Sequence, residues 1–348
     1  MTEAPGWAAI DGALARVYGA AEPLHFGTIH KWVLGGPDPL DGISAYPRTD
    51  PVPHWHFVSY GMSELYSKES EDPEESGWGF EFTFRLARDP AEATPPVWAM
   101  NFLQNLGRYV FQSGRWFEPG HTMNANGPLA ADRTDSAIRA ITFTVDPELG
   151  EISTPHGKVQ FLQVVGLAIE EYEAARQWNS GALLDLIEPR TPLHVTDIDR
   201  SSLLADPAIA AAVRTGVERD GPSSNSMYVT AASWSLGEDE TTLTFGALPA
   251  PDIARAVASN LPRGDGVVIS EDGGSTIGFL PHERFTVERI DDDSIAVGVP
   301  AGSIDDLVAA LRPEAGRRPV PGLPGLVIEI EPSIIRDPHG EPTGEVIG

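Results

Sequence analysis

Hydrophobic and polar residues alternate most clearly along FEFTFRL, residues 80–86. The apolar residues recur at every second position, which places one set of side chains on one face of a strand: Phe80, Phe82, Phe84 and Leu86. The polar residues between them fall on the other face: Glu81, Thr83 and Arg85. A period of two is typical of a half-buried strand. The pattern therefore predicts a sheet with one buried face.

Apolar residues recur at helical spacing in two other stretches. The first runs from Trp7 to Val17, and Gly19 can end that helix. The second is VWAMNFLQNLGRYVFQS, residues 97–113, which follows two prolines and carries a broad apolar stripe. Gly114 is suited to end it, since glycine commonly adopts the left-handed conformation at a helix C-terminus.

Shorter patterns extend this alternation of strands and helices along the chain. Strands are predicted at 25–34, 138–145 and 158–167, and helices at 169–178, 181–188 and from Asp206 to near Gly216. After the turn-rich VERDGPSSNS, short strands dominate, with two helices that begin at Asp252 and at SIDD, where Ser303 and Asp306 form a predicted capping pair.

These elements predict an α+β protein with two lobes, each a mostly antiparallel or mixed sheet with flanking helices. The length of 348 residues also suggests two domains. We place the boundary near residue 221, which gives an N-terminal domain of residues 1–221 and a C-terminal α/β domain of residues 222–348. Residues 335–348 have little to bury and are predicted to form a loose tail.

Composition and charge exclude several classes of protein. No apolar run is long enough for a membrane helix, and the N-terminus lacks the basic region of a secretory signal. The chain has no cysteine, which excludes disulfides, thiolate metal sites and a cysteine nucleophile, and we expect a cytoplasmic location. A formal charge of −27 repels phosphate backbones, so nucleic acid is not an expected partner. The charge suits solubility or a basic partner, and we favour the simpler explanation that the host tolerates acidic proteins.

The stretch HWHFVSYGMSELY, residues 54–66, raises the question of a metal site. On a strand, His54 and His56 lie on one face about 7 Å apart. Such a pair binds a metal when a third ligand converges on it, and the candidates are His121, Glu81 and Glu64. The alternative is that both rings form hydrogen bonds across strands or to the acidic loop, and we favour this structural interpretation, with no metal or other cofactor.

Catalytic motifs are otherwise absent from the sequence. No G-x-S-x-G elbow is present, and no base lies close in sequence to a candidate serine. The glycine-rich segment 264–275 lacks the Lys-Ser/Thr ending of a phosphate-binding loop, and it is predicted to be a hairpin turn. A metal-dependent hydrolase built on His54, His56 and His121 remains the alternative to a non-enzymatic binding protein.

Several long motifs resemble the Suppressor of fused family and occur in the family's order and spacing: HWHFVSYGMSELY, SGWGFEFTFRL, PPVWAMNFLQNLGRYVFQSGRWFEPGH, TPHGKVQFLQVVG, EEYEAARQWN and VTDIDR. They lie within residues 25–221. LVIEIEPSIIRDP and the SIDDLVAAL segment look like the end of the family's second domain. Together with the composition, the resemblance identifies the chain as a bacterial member.

The resemblance implies a binding protein and not an enzyme. Animal members have two α/β lobes and clamp an extended peptide of a Gli-type transcription factor between them, so that the peptide adds as a strand. Some bacterial members accompany toxin genes, which implies an immunity protein whose partner is a toxin domain. We expect this chain to be a monomer that binds a protein or peptide.

The resemblance also supplies candidate partner-binding residues, matched motif by motif. Tyr109 and Phe117 correspond to aromatic residues that line the family's cleft, and Tyr228 to Thr230 lie on the strand across it. His121 stands where animal members have an acidic residue, and Thr215 stands where they have a lysine. Both changes remove charged contacts to the peptide, which argues against a Gli-like ligand.

Overall fold

The structure is a computed structural model that describes residues 4–30, 32, 35–220, 226–271, 274–336 and 342–348, with only the backbone of Ser226, Arg336 and Pro342. The chain divides into two compact units. The first unit comprises Met1–Ala175 and Ser180–Val213, and the second comprises Arg176–Asn179 and Arg214–Gly348. The boundary predicted near residue 221 lies outside the described residues, and it stays a prediction.

An eight-stranded sheet forms the framework of the first unit. Its strands are β1 Leu24–Gly27, β2 Gly42–Arg48, β3 His54–Tyr60, β4 Glu75–Ala87, β5 Thr122–Asn124, β6 Ile138–Val145, β7 Glu151–Thr154 and β8 Gly157–Ala168. They follow the order β1-β2-β3-β4-β8-β6-β5, and β7 also pairs with β8. The pair β4 and β8 is parallel, and the other pairs are antiparallel.

The helices that begin in this unit are α1 Pro5–Tyr18, α2 Val97–Ser113, α3 Ile169–Gln177, α4 Ser180–Ile187 and α5 Pro207–Asp220. The two helices predicted from their apolar stripes, α1 and α2, are confirmed. Gly114 ends α2 in the left-handed conformation, at φ 71°, and its N–H donates to the carbonyl of Val110.

The expectation that only one face of the β4 sheet is buried is wrong. The phenylalanine face of β4 packs under α2, as the pattern predicts. On the opposite face of the sheet, Val58 of β3 and Phe161 of β8, which lie beside Thr83 and Glu81, belong to a second cluster with Ile10 and Leu14 of α1. Thr83 and Arg85 on β4 are fully buried, although their residue types predict exposure. Burial is possible because both side chains are hydrogen-bonded to buried groups.

The second unit contains two larger sheets and a terminal hairpin. Its strands are β9 Ser226–Val229, β10 Ala232–Leu236, β11 Thr241–Gly246, β12 Val267–Glu271, β13 Thr276–Pro281, β14 Thr286–Arg289, β15 Ser294–Val299, β16 Gly316–Pro319, β17 Leu326–Glu331, β18 Ser333–Arg336 and β19 Pro342–Ile347. The sheet orders are β14-β15-β13-β12-β9 and β10-β11-β17-β16. Each sheet combines parallel and antiparallel pairs.

Helices α6 Ala250–Asn260 and α7 Ile304–Ala310 pack on one core with these sheets, and Phe245 and Phe279 are buried within it. The α+β class is therefore confirmed, with mixed sheets and flanking helices in both units. No described helix is long and apolar enough to cross a membrane.

Two local predictions for the second unit need correction. Ser303 does not cap α7 through its side chain, because its hydroxyl donates instead to the carbonyl of Gly322, 2.9 Å away. Where the sequence predicts a loose tail, β18 and β19 pair antiparallel. Ile347 packs against the core of the second unit, which gives the tail an apolar anchor. The segment 264–275, predicted to be a hairpin turn, contains strand β12, which pairs antiparallel with β13, and residues 272–273 between the two strands lie outside the described residues.

Candidate functional site

Tyr109 and Phe117 form one end of an aromatic stack in the first unit. Tyr109 lies on α2 with 37% of its surface exposed, whereas Phe117 follows the helix and is buried. Their ring centroids lie 5.4 Å apart at an angle of 23°, and Phe117 stacks in turn on Phe143 of β6 at 4.2 Å. Stacked rings have few alternative positions, so the exposed part of Tyr109 is held on a rigid base.

His121 lies at the surface close to this stack in sequence. Its Nδ1 accepts a hydrogen bond from the backbone N–H of Glu118 at 3.2 Å, and its Nε2 is 3.8 Å from the Glu118 carboxylate. Trp116, which is 54% exposed, donates from its indole nitrogen to the same carboxylate at 3.1 Å. The loop after α2 therefore presents an aromatic ring, an imidazole and a carboxylate together.

The remaining sequence-predicted residues belong to the second unit. Thr215 is exposed on α5, and the next residue, Gly216, packs so closely on Trp178 that a Cβ there would lie 2.3 Å from the indole ring. Tyr228 of β9 is 65% exposed, and Thr230 is exposed just beyond that strand. Among the described strands, β9 is the last in its sheet, with β12 as its neighbour.

His54 and His56 do not face the acidic loop. Both are fully buried on β3. The Nδ1 of His54 lies 2.7 Å from the carbonyl of Val52, and the Nδ1 of His56 lies 2.5 Å from the hydroxyl of Tyr18. Across the strands, the Nε2 of His54 is 3.5 Å from a guanidinium nitrogen of Arg85. The histidines therefore have the structural role that the sequence favours, with cross-strand partners and none in the acidic loop.

A buried ion-pair network lies beside these histidines. Both oxygens of Asp146 accept hydrogen bonds from Arg85, at 2.9 and 3.0 Å, and one accepts another from Thr83. The Nε2 of His56 is 3.1 Å from Asp146, without the angle of a hydrogen bond. Arg85 also pairs with Glu148 at 2.9 Å. Burial opposes the charge of Asp146, but the neighbouring His56, Arg85 and backbone donors hold its pKa well below its usual range.

Sequence patterns did not identify Asp146 as part of this network. Sixty-one residues separate it from Arg85, and no periodicity connects them. The available signal was Arg85 itself, an arginine within an otherwise apolar strand that must find a partner if it is buried.

The candidate third metal ligands are engaged elsewhere. Glu81 is buried and accepts hydrogen bonds from Ser59, Gly61 and Ser63. Glu64 accepts two backbone N–H groups of the acidic loop and pairs with Lys68. Within the described ranges, no group of three or more histidine, cysteine, aspartate or glutamate side chains is placed to hold a metal ion. The hydrolase alternative therefore has no ligand set there.

The burial of His54 predicts a pH-dependent stability. Burial is the main cause that lowers its pKa from 6.5 to about 4. As the pH falls through 6.5, His54 takes up a proton in the unfolded state but not in the folded state. The contribution of neutral His54 to the free energy of unfolding is therefore fully present above pH 6.5 and is lost as the pH falls towards 4. We expect a loss of about 3 kcal/mol over this interval, at 1.36 kcal/mol per pH unit, measured by urea denaturation.

The matched variants are His54→Gln and Phe57→Leu on the same strand. Glutamine is neutral at every pH, so this variant should show a shallower decline between pH 6.5 and pH 4. Phe57→Leu alters only the core and should lower stability equally across that interval. Equal slopes for the wild type and His54→Gln would contradict the prediction.

Comparison with known proteins places the sequence among characterised relatives. Residues 36–201 match the family model described as Suppressor of fused protein. The human protein Suppressor of fused homolog is 36% identical over 269 residues, which cover 70% of this chain and 55% of the human protein. The mouse protein of the same name matches to the same extent. The chain thus spans about half the length of the curated relatives it matches.

Two solved structures resemble the fold of this chain. The crystal structure of Drosophila Suppressor of Fused matches with a TM-score of 0.79 at 23% identity, over 94% of this chain and 97% of the other, which shows a shared fold. A chain of the Sufu-Fu complex crystal structure is 33% identical, with a TM-score of 0.56, over 61% of this chain and 98% of that one.

Proposed function

The chain belongs to the Suppressor of fused family, and from this premise we propose that it binds a protein or peptide partner and catalyses no reaction. A member of the family is found in the Sufu-Fu complex, which is an assembly with another protein. The absence of a metal-ligand group within the described ranges supports binding over hydrolysis. The location proposed for this activity is the cytoplasm, where a chain without cysteine needs no oxidising environment.

We propose further, on the resemblance to the family, that the chain clamps an extended segment of the partner. The observation that carries this proposal is the position of β9 at the end of its sheet, with Tyr228 exposed beside it. An edge strand offers main-chain groups to an added strand, and exposed side chains beside it supply specificity. In the first unit, Tyr109, held by Phe117, supplies an aromatic surface suited to a side chain of the partner.

The chemistry at two positions argues for a ligand unlike a Gli peptide. His121 replaces an acidic residue of the animal members and already contacts Glu118, while Thr215 replaces a lysine and offers no charge. The formal charge of −27 favours a basic partner. A basic toxin domain, bound by a monomeric bacterial immunity protein, is the partner that we propose on this charge and on the resemblance.

A selection from a library of random extended peptides tests the proposed grip. We expect peptides that bind the purified full chain, and for the best of them Tyr109→Ala should weaken binding by about 10- to 100-fold, since aromatic anchors dominate such contacts. Methylation of alternate backbone nitrogens in that peptide should weaken binding by more than about tenfold, because strand pairing uses those N–H groups. Fluorescence anisotropy gives each Kd.

Val97→Ala is the matched control, because Val97 is also an exposed apolar residue of α2, at the other end of the helix. It should leave the Kd unchanged. The proposal fails if the library yields no binder, or if Tyr109→Ala and backbone methylation leave the affinity of the selected peptide unaltered.

A further inference from the structure

An open surface pocket of about 420 Å³ lies within the first unit, lined by α1, the segment after it and strands β1 to β3. We call it the α1 pocket. Its aromatic lining comes from four side chains: Trp7, Tyr18, Tyr46 and Tyr60. The volume falls in the range of small-ligand pockets, which begins at about 300 Å³. The pocket belongs to neither the aromatic stack of Tyr109 nor the buried network of Asp146.

The walls of the α1 pocket are rigid before any ligand arrives. The rings of Trp7 and Tyr60 stack with centroids 4.4 Å apart, and those of Tyr18 and Tyr46 stack at 3.8 Å. Tyr46 and Tyr60 are buried in the cluster beneath α1. A ligand that enters therefore meets a surface that is already ordered, and little conformational entropy is lost on binding.

The charged side chains that line the α1 pocket are acidic. Asp11 and Glu22 contribute carboxylates, and among the described residues that line the pocket there is no lysine or arginine. His25 adds no positive charge near neutral pH, because burial lowers the pKa of its ring. The hydroxyl of Tyr60 donates to one oxygen of Asp11 at 2.9 Å, and within the described chain no hydrogen bond or ion pair engages the other oxygen. That oxygen remains available to a donor in the pocket.

These features exclude two classes of ligand and favour a third. An anion would be repelled by the two carboxylates, and a purely apolar ligand would remove the second oxygen of Asp11 from water without supplying a donor in return. An organic cation satisfies both requirements, since its alkyl stem packs on aromatic rings and its head donates hydrogen bonds to the carboxylate.

We propose that the α1 pocket binds an ammonium or guanidinium group on an alkyl stem, of the kind carried by lysine and arginine, with Asp11 as the charged acceptor. This site lies wholly within the first unit and goes beyond the proposed grip on an extended segment. The two proposals can therefore be tested separately, because neither Tyr109 nor β9 contributes to the α1 pocket.

The neighbouring strand favours a polypeptide as the source of the cation. β1 is the last strand in its sheet among the described strands, and its Leu24 and Phe26 are each 40% exposed. Between them, His25 lines the α1 pocket. Since side chains alternate along a strand, a segment added beside β1 would direct every second side chain towards the pocket and the others towards Leu24 and Phe26.

Calorimetric titration of the full chain with N-acetylargininamide tests the chemistry. We expect saturable binding, and binding at least about tenfold weaker for the citrulline analogue, which has the same shape without the charge. A second arm compares agmatine with a capped pentapeptide, Val-Thr-Arg-Thr-Val. If the pentapeptide binds more tightly, the site exists and its cation belongs to a polypeptide. If the two ligands bind equally, the site exists and its cation is a free small molecule.

Two variants locate the site. Asp11→Asn keeps an acceptor for Tyr60 but removes the charge, and it should weaken N-acetylargininamide binding by about tenfold. Ala15→Leu fills the pocket from an exposed position of α1, so it tests the site even if Asp11→Asn disturbs folding. Asp135→Asn, whose side chain is 84% exposed elsewhere in the unit, should leave affinity unchanged. The absence of saturable binding, equal binding of the citrulline analogue, or wild-type affinity in Ala15→Leu would overturn the proposal.

Discussion

Replacing Asp146 by asparagine is expected to destabilise the first unit by about 3 to 5 kcal/mol, the usual consequence of removing one partner from a buried ion pair. Asparagine preserves the shape but leaves the fully buried Arg85 without its bidentate carboxylate. Glu148 is partly exposed and compensates for only part of that charge. Urea denaturation combined with hydrogen exchange of β4 amides measures the loss in the first unit alone.

The effect should also depend on pH with a defined sign. The pKa of Asp146 is lower in the folded state, so its contribution is complete above the unfolded pKa of about 3.9 and is lost as the pH falls further. The difference in the free energy of unfolding between the wild type and Asp146→Asn should therefore decrease below about pH 4. Asp135→Asn, at an exposed position, should change stability by less than about 0.5 kcal/mol. An Asp146→Asn variant as stable as this control would show that the network contributes nothing.

Local periodicity was sufficient to predict the elements that frame the first unit. In β4 the alternation of apolar and polar residues lies within a few adjacent residues, and in α2 the apolar stripe lies within a few adjacent turns. Spacing alone therefore predicts that β4 is a strand with a phenylalanine face and that α2 is a helix with an apolar face. The second face of β4 was not predictable in this way. Its residue types indicated exposure, and burial depends on α1 and Asp146, which are distant in sequence.

The candidate site shows the same limit. Tyr109 and Phe117 were identified by motif resemblance, and the structure adds the ring stacking that joins them. The α1 pocket was not predicted, because its lining comes from one helix, a connecting segment and three strands. Each of its aromatic residues is equally consistent with ordinary core packing until the strands are placed side by side. Spacing along the chain contains no information about such a convergence.

Replacing Glu81 by alanine is expected to cost about 4 kcal/mol or more. Five hydrogen bonds end on its two oxygens, and the backbone N–H groups of Gly61, Met62 and Ser63 supply three of them. Glu81 is fully buried, so alanine would leave these donors without an acceptor, at about 1 to 3 kcal/mol each. Glu81→Gln retains one acceptor oxygen, so its free energy of unfolding should fall by less than that of Glu81→Ala. Glu75 is exposed on the same strand, and Glu75→Ala should lower the free energy of unfolding by less than about 0.5 kcal/mol. If urea denaturation gives equal losses for Glu81→Ala and Glu75→Ala, the carboxylate is not what orders the turn after β3.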